Sequence, residues 1–302
     1  MYQKNNNHIS GDMPGIIKLV RKTSTNNNDI YKKKNSSHGI NESIIVTMIK
    51  LVEYRDVTTG KHLGRCSHTI DILIKGLLER NIYVDELNML NLDLIVASSR
   101  LHDIGKLKIH DDILLKRGKL NAHEYELMKK HVEHGIKILE KIQSATISLS
   151  ISNMHNHVLS RIINHSQRRQ PKHYYYNPLT YARAIKQEDE FLFYARKMIS
   201  THHEKWNGTG YPNKLAGYNI PLCGRLMAIA DVYDALAADR PYRKAIEHRE
   251  AVKIISANSG KQFDPALIEV FLSVADKFND FAMLTNSEYS DANTEMSEGF
   301  AS

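Results

Sequence analysis

At positions 202 and 203 two histidines stand side by side, ahead of Glu204 and the loop Asn207-Gly208-Thr209-Gly210-Tyr211-Pro212. Neighbouring side chains on a helix point about 100° apart, so one of the pair can face a core but both cannot face the same part of it. Earlier in the chain, "LHDIGK" sets His102 directly before Asp103. That dipeptide offers a nitrogen ligand and a carboxylate able to bridge, a mixture that hard or borderline divalent metals accept. His131 falls on the apolar stripe of a helical pattern. Asp231 lies within "AIADVYDAL", where an ionised carboxylate is costly unless a cation neutralises it. Each has an ordinary explanation when taken alone: a helix end stabilised by the dipole for His102, a hydrogen-bonded core histidine for His131, an arginine ion pair for Asp231. Counted together, with His62 as a further candidate, they read as a set of metal ligands.

Donors spread from position 62 to position 231 must be brought together by packed elements. Between about 43 and 278 the pattern is helical almost throughout, with no convincing strand alternation, which predicts an all-α fold. One helix covers about 43–55. A second starts around His62, with Ile70, Leu73, Ile74 and Leu77 on one stripe. A third runs over about 88–104, with Leu94, Ile95, Ser98 and Leu101 inward, and stops where Gly105 can take a left-handed cap. A fourth begins at Asn121, where Glu124 completes an approximate capping box, and buries Leu127, His131, Gly135 and Ile138. Another should end near His203. Pro221 opens a helix through Leu226, Ala230 and Asp231 to Ala238, and two more follow over about 246–257 and 265–277. Residues 144–199, with "HYYYNP" and four histidines, resist the pattern and read as a surface insertion, which loop entropy tolerates.

Composition narrows the class. The chain has 302 residues, 42% of them apolar, enough for one large domain or two small ones. Two cysteines make a disulfide framework untenable and suit a reducing compartment. No apolar run approaches the roughly 20 residues of a membrane span, and the N-terminus lacks the apolar stretch of a signal peptide. A cytoplasmic protein is therefore expected. Net charge is +7, partly because residues 1–43, rich in Asn, Lys and Ser, carry seven basic residues against three acidic ones. That segment reads as a disordered leader and gives no reason to expect a specific nucleic-acid partner. Residues 279–302 hold five acids and no Lys or Arg, and read as an acidic tail. The 16 histidines point to metal or proton chemistry.

With "HDIGK", "HHEKWNGTGYP" and "ADVYDALAADRPYRKA" in the order H…HD…H…HH…D, the chain resembles the HD-GYP family, a branch of the HD phosphohydrolase superfamily. The resemblance covers about 43–278. It implies an HD-domain helical bundle over 44–278 with additional C-terminal helices, interrupted by the insertion. It also implies a phosphodiesterase that opens cyclic di-GMP to linear pGpG, with GMP as a further product left open. The reaction would use a bridging water activated at a centre of two divalent ions, iron or manganese. By position, His62, His102, Asp103, His131, His202, His203 and Asp231 would be metal ligands, with Asp103 between two metals. Lys106 would touch the scissile phosphate and Tyr211 the substrate or its attacking water, so that Asp103, Lys106 and Tyr211 are the catalytic candidates. Asp234, Arg240 and Arg243 would lie along the nucleotide pocket, where a guanidinium plane matches two phosphate oxygens. Asn207, Gly208, Gly210 and Pro212 would shape the loop, the glycines through backbone angles closed to other residues.

Two departures from the family pattern bear on the site. Asn207 stands where Asp is commoner; both tolerate left-handed turns. Thr58 stands where members with a third metal carry Glu, and a hydroxyl cannot replace that carboxylate, so two metals are expected rather than three. The leader is too short to fold as a receiver domain, which shifts regulation toward the insertion or toward other signalling proteins, diguanylate cyclases among them; a homodimer stays open. Two other readings remain: a different dinucleotide substrate, such as the GMP–AMP hybrid or linear pGpG, and a domain that binds nucleotide or protein without turnover.

Overall fold

Apolar stripes decide where the helices of this chain fall, because burying one face of an amphipathic helix contributes more than intrinsic propensity does. The computed structural model describes residues 38–55, 62–145, 148, 178–238 and 244–278. The chain divides into two units, Met1–Val46 and Thr47–Ser302, and the residues that position the site belong to the second. In chain order the helices are α1 (His38–Arg55), α2 (His62–Glu79), α3 (Val84–Asn88), α4 (Leu92–Ser98), α5 (Asp111–Leu114), α6 (Ala122–Lys129), α7 (131–145), α8 (Pro178–Thr201), α9 (Leu222–Ala237), α10 (His248–Ser256) and α11 (265–278). Among the described residues there is no strand, only two isolated bridges. The fold is all-α, as the helical periodicity predicts.

The core forms where α2, α8 and α9 meet, with α4 against α8 and α10 against α9. Ile70, Leu73, Ile74 and Leu77 of α2 are all buried there, beside Met198 of α8 and Leu226, Ile229 and Ala230 of α9. Fully burying side chains of this size stabilises by about 1.5–3 kcal/mol each, so α2 and α9 form the rigid spine of the molecule. Asn121 caps α6 by accepting from Glu124 N while the Glu124 carboxylate accepts from Asn121 N, completing the capping box.

Three sequence expectations need correction. The helix predicted over 88–104 is broken. Here α4 ends at Ser98, and two 3-10 segments, Ser99–Leu101 and Ile104–Lys108, follow. The hydroxyls of Ser98 and Ser99 donate back to the carbonyls of Ile95 and Val96, giving this stretch local bonds that compete with a regular ladder. The stretch 144–199 is not an insertion throughout: α8 begins at Pro178, and its Leu192, Tyr194, Ala195, Met198 and Ile199 are core residues. The helix expected to run on from Asn121 is interrupted by a turn at Lys130, and Val132 and Leu139 take the deepest positions, with Leu127 and Ile138 only half-buried. The leader up to position 37, the tail 279–302, most of the presumed insertion (149–177), Thr58, Arg240 and Arg243 lie outside the described residues.

Candidate metal centre

Helix ends supply most of the donors. His62 opens α2, His131 opens α7, and His202 and His203 follow the last residue of α8; Asp231 lies within α9. His102 and Asp103 occupy the turn between the two 3-10 segments. That turn is pressed against the start of α7. A Cβ on Gly105 would lie 1.8 Å from the His131 carbonyl oxygen, so no side chain fits there. Gly105 does not have positive φ; it is needed for close approach and not as the left-handed cap expected from the sequence.

The packing brings all seven predicted donors into one cluster. Asp103 faces two ways. Its Oδ2 is 3.2 Å from His102 Nε2 and 3.9 Å from His62 Nε2, whereas its Oδ1 is 3.5 Å from His131 Nε2 and 4.0 Å from His202 Nε2. His62 Nε2 is 3.3 Å from His102 Nε2 and 3.6 Å from Asp231 Oδ1. On the other side, His131 Nε2 is 3.5 Å from His202 Nε2 and 3.2 Å from His203 Nε2. Two triads result, His62, His102 and Asp103 on one side and His131, His202 and His203 on the other, each with donor atoms within 4.8 Å of one another.

Hydrogen bonds set the tautomers. His102 Nδ1 donates to Ser99 O at 2.8 Å, His131 Nδ1 to Met128 O at 2.8 Å, and His202 Nδ1 to Met198 O at 2.9 Å. A carbonyl only accepts, so in each ring Nδ1 carries a proton. His131 and His202, both lowered by burial, then turn a bare Nε2 lone pair into the cluster, whereas for His102 burial is outweighed by Asp103, which raises it. Burial, reinforced by His102 and His131, pulls His202 down to about 4, and burial with its histidine neighbours holds His203 well below the usual range. His131 is lowered by burial although Asp103 opposes this. Asp103 is ionised: burial would raise it, but Lys106 and His102 bring it well below the ordinary carboxylate value. Neutral imidazoles whose bare lone pairs meet at about 3.5 Å, next to a buried carboxylate, repel unless a cation lies among them. The donor set of imidazole nitrogens and two carboxylates fits a divalent first-row metal.

Similarity to known proteins agrees. Models of the HD domain match residues 72–195 and 160–267. A cyclic di-GMP phosphodiesterase of Vibrio cholerae is 38% identical over 78% of this chain and 39% of its own length. The chain belongs to the HD-domain family. Its GYP loop marks the HD-GYP branch. A 3'3'-cGAMP-specific phosphodiesterase of Vibrio cholerae is 33% identical over 78% of this chain and 35% of its own, and a cyclic di-GMP phosphodiesterase of Thermotoga maritima is 29% identical over 76% and 48%. The chain thus spans less than half the length of these curated relatives.

The rest of the HD-GYP site frames the cluster. Lys106 Nζ lies 2.7 Å from Asp103 Oδ2. The Tyr211 ring stacks on His203, with centroids 4.6 Å apart, and Lys129 Nζ lies 5.4 Å from the Tyr211 centroid. In the loop, Asn207 Oδ1 accepts from the backbone and hydroxyl of Thr209, work that an Asp would do equally. Gly208 has φ +79°, but Gly210 does not have positive φ. It is required for space, since a Cβ there would lie 2.4 Å from Lys205 N. The Tyr211–Pro212 peptide is cis.

One placement differs from expectation. Asp234, assigned to the nucleotide pocket, is buried behind His62, its oxygens taken by His62 Nδ1 and Arg65. Two residues escaped the sequence reading. Glu204, buried, accepts from Asn213 N at 2.7 Å and Leu215 N at 3.0 Å and so ties both ends of the loop's return. Arg65 is the other. Its signal was the helical spacing of His62 and Arg65, matched by that of Asp231 and Asp234: residues three apart share a helix face.

Proposed function

We propose that the chain is a metal-dependent phosphodiesterase of cyclic dinucleotides, with cyclic di-GMP as its first substrate. One observation carries this reading: His131 and His202 face each other with bare Nε2 lone pairs 3.5 Å apart, beside a carboxylate shared with a second triad. His62, His102, Asp103 and Asp231 would hold one ion, and His131, His202 and His203 with Asp103 the other, iron or manganese by donor type. Bound ions of this kind lower the pKa of water and clamp the phosphate oxygens whose charge grows in the transition state.

The chain's own groups complete the chemistry. Lys106, at the rim and 22% exposed, offers its ammonium to an incoming phosphate. Tyr211 keeps its phenolic proton, because burial and the nearby negative charges raise its pKa; it can donate a hydrogen bond to a phosphate oxygen but cannot serve as a base. Stacking on His203 orients that donor. Arg240 and Arg243 remain candidates for the second phosphate. Linear pGpG would be the first product and GMP a further one. The two buried free cysteines and the lack, among the described residues, of any helix long and apolar enough to cross a membrane agree with a cytoplasmic setting.

The cGAMP-specific relative, at 33% identity, supports the GMP–AMP hybrid as an alternative substrate. Both nucleotides should therefore be offered to protein purified anaerobically with iron or manganese, beside a His102→Ala/Asp103→Ala double variant. We expect turnover of at least one nucleotide, lowered by about a hundredfold or more in the double variant, as the loss of several kcal/mol of charge stabilisation requires. Equal rates would sink the enzyme reading. Binding of nucleotide without turnover would make the domain a receptor.

A further inference from the structure

We propose that Asp234, steadied by Arg65, is the positioning residue that aims His62 into the metal centre. The inference rests on the metal-centre reading above and adds a residue pair behind it. His102, His131 and His202 each anchor Nδ1 on a neutral carbonyl three or four residues back in their own segment. His62, the first residue of α2, takes its partner from another helix instead: its Nδ1 is 2.7 Å from Asp234 Oδ2 on α9. Arg65, one turn along α2, donates from Nη2 to the same oxygen at 3.0 Å and from Nε to Oδ1. The carboxylate is thereby held by two groups of α2 while Asp231, three residues earlier on α9, faces His62 Nε2 at 3.6 Å. One pair of helices thus presents a ligand, its orienting acid and a second ligand.

The chemistry distinguishes this arrangement from its alternatives. A carboxylate partner fixes the Nδ1–H tautomer and makes the imidazole a stronger donor at Nε2 than a carbonyl partner does. Arg65, bonded to both oxygens of the Asp234 carboxylate, holds it in place to accept from His62 Nδ1. His62, Cys66 and Asp234 are also close enough to suggest a metal site of their own. That grouping fails on charge, because the Arg65 guanidinium already sits on the carboxylate. Cys66 Sγ, 3.5 Å from His62 Nδ1, is a neutral neighbour in that corner.

The test compares wild type with Asp234→Ala and Asp234→Asn for metal content by elemental analysis, metal affinity by chelator competition, and helicity by circular dichroism. For folded Asp234→Ala we expect metal affinity to fall by about 10–100-fold, with the loss confined to one ion, and a smaller loss in Asp234→Asn, which can still accept from His62. Wild-type affinity in a folded Asp234→Ala protein overturns the proposal. So does a rise in KM at unchanged metal affinity, the signature of a nucleotide contact. If Asp234→Ala does not fold, Asp234→Asn decides: affinity within twofold of wild type overturns the proposal, and a larger loss supports it. A wild-type protein that binds no metal would instead remove the metal-centre reading itself.

Discussion

His202 and His203 both turn toward His131, their ring centroids 3.9 Å apart. Helical geometry would have separated them, but α8 ends at Thr201, and in the turn beyond it the 100° rule no longer holds. That is the physical reason two adjacent histidines can face the same third imidazole. His202→Ala should therefore empty one triad and spare the other: elemental analysis should find about one ion fewer per chain, with the His62 side still loaded. Unchanged stoichiometry would mean that His202 is a core residue. At this scale much was legible in the sequence, because metal ligands come from a few residue types, and "HD" and "HH" bring two of them together. Arg65 and Asp234 were harder to read. They lie 169 positions apart, and whether an acid faces a pocket or the back of a ligand depends on how α2 and α9 are rotated.

Close backbone approach, more than side-chain chemistry, shapes the elements around the cluster. Gly105 and Gly210 are both singled out in the sequence for backbone angles they do not adopt, since a residue pattern contains no information about which backbone atoms will crowd a glycine. Glu204 illustrates the same limit. Its partners are the main-chain N–H groups of Asn213 and Leu215, which any residue could supply, so nothing in the sequence points to them. Glu204→Ala would leave those two N–H groups without their buried acceptor, and a hydrogen bond to a charged group contributes about 1.5–3 kcal/mol. The loop carrying Tyr211 should then loosen while His202, anchored on Met198 O of α8, and the ligands from other helices stay in place. The expected result is a tenfold or larger fall in kcat/KM for a cyclic dinucleotide with metal content unchanged. A parallel loss of metal would show instead that the loop supports the cluster.

At the scale of the whole unit, the stripes on α2 and α9 were clear because burial of Ile70, Leu73, Leu77 and Leu226 leaves a 3.6-residue period. The break after Ser98 and the core face of α8 were not: local hydroxyl bonds compete with the helix ladder in the first, and tertiary burial overrides local pattern in the second. The consequence is a molecule whose core and site make opposite demands. The apolar spine holds together the segments that bear His62, Asp103, His131, His202 and Asp231, and in doing so it forces buried imidazoles to face one another around the Asp103 carboxylate. Without cations that arrangement costs stability; with them it gains. A ligand at a hundred times its Kd stabilises the folded state by about 2.7 kcal/mol, and for a domain of this size each kcal/mol moves Tm by roughly 2–4 °C. Stripping the metals with a chelator should thus lower Tm by roughly 5–10 °C, and restoring iron or manganese should recover it. The same treatment of a His102→Ala/Asp103→Ala variant, whose cluster has lost its bridging carboxylate, should shift Tm far less. If wild type and variant respond alike, the chelator is acting somewhere other than this cluster, and the facing lone pairs are tolerated without an ion.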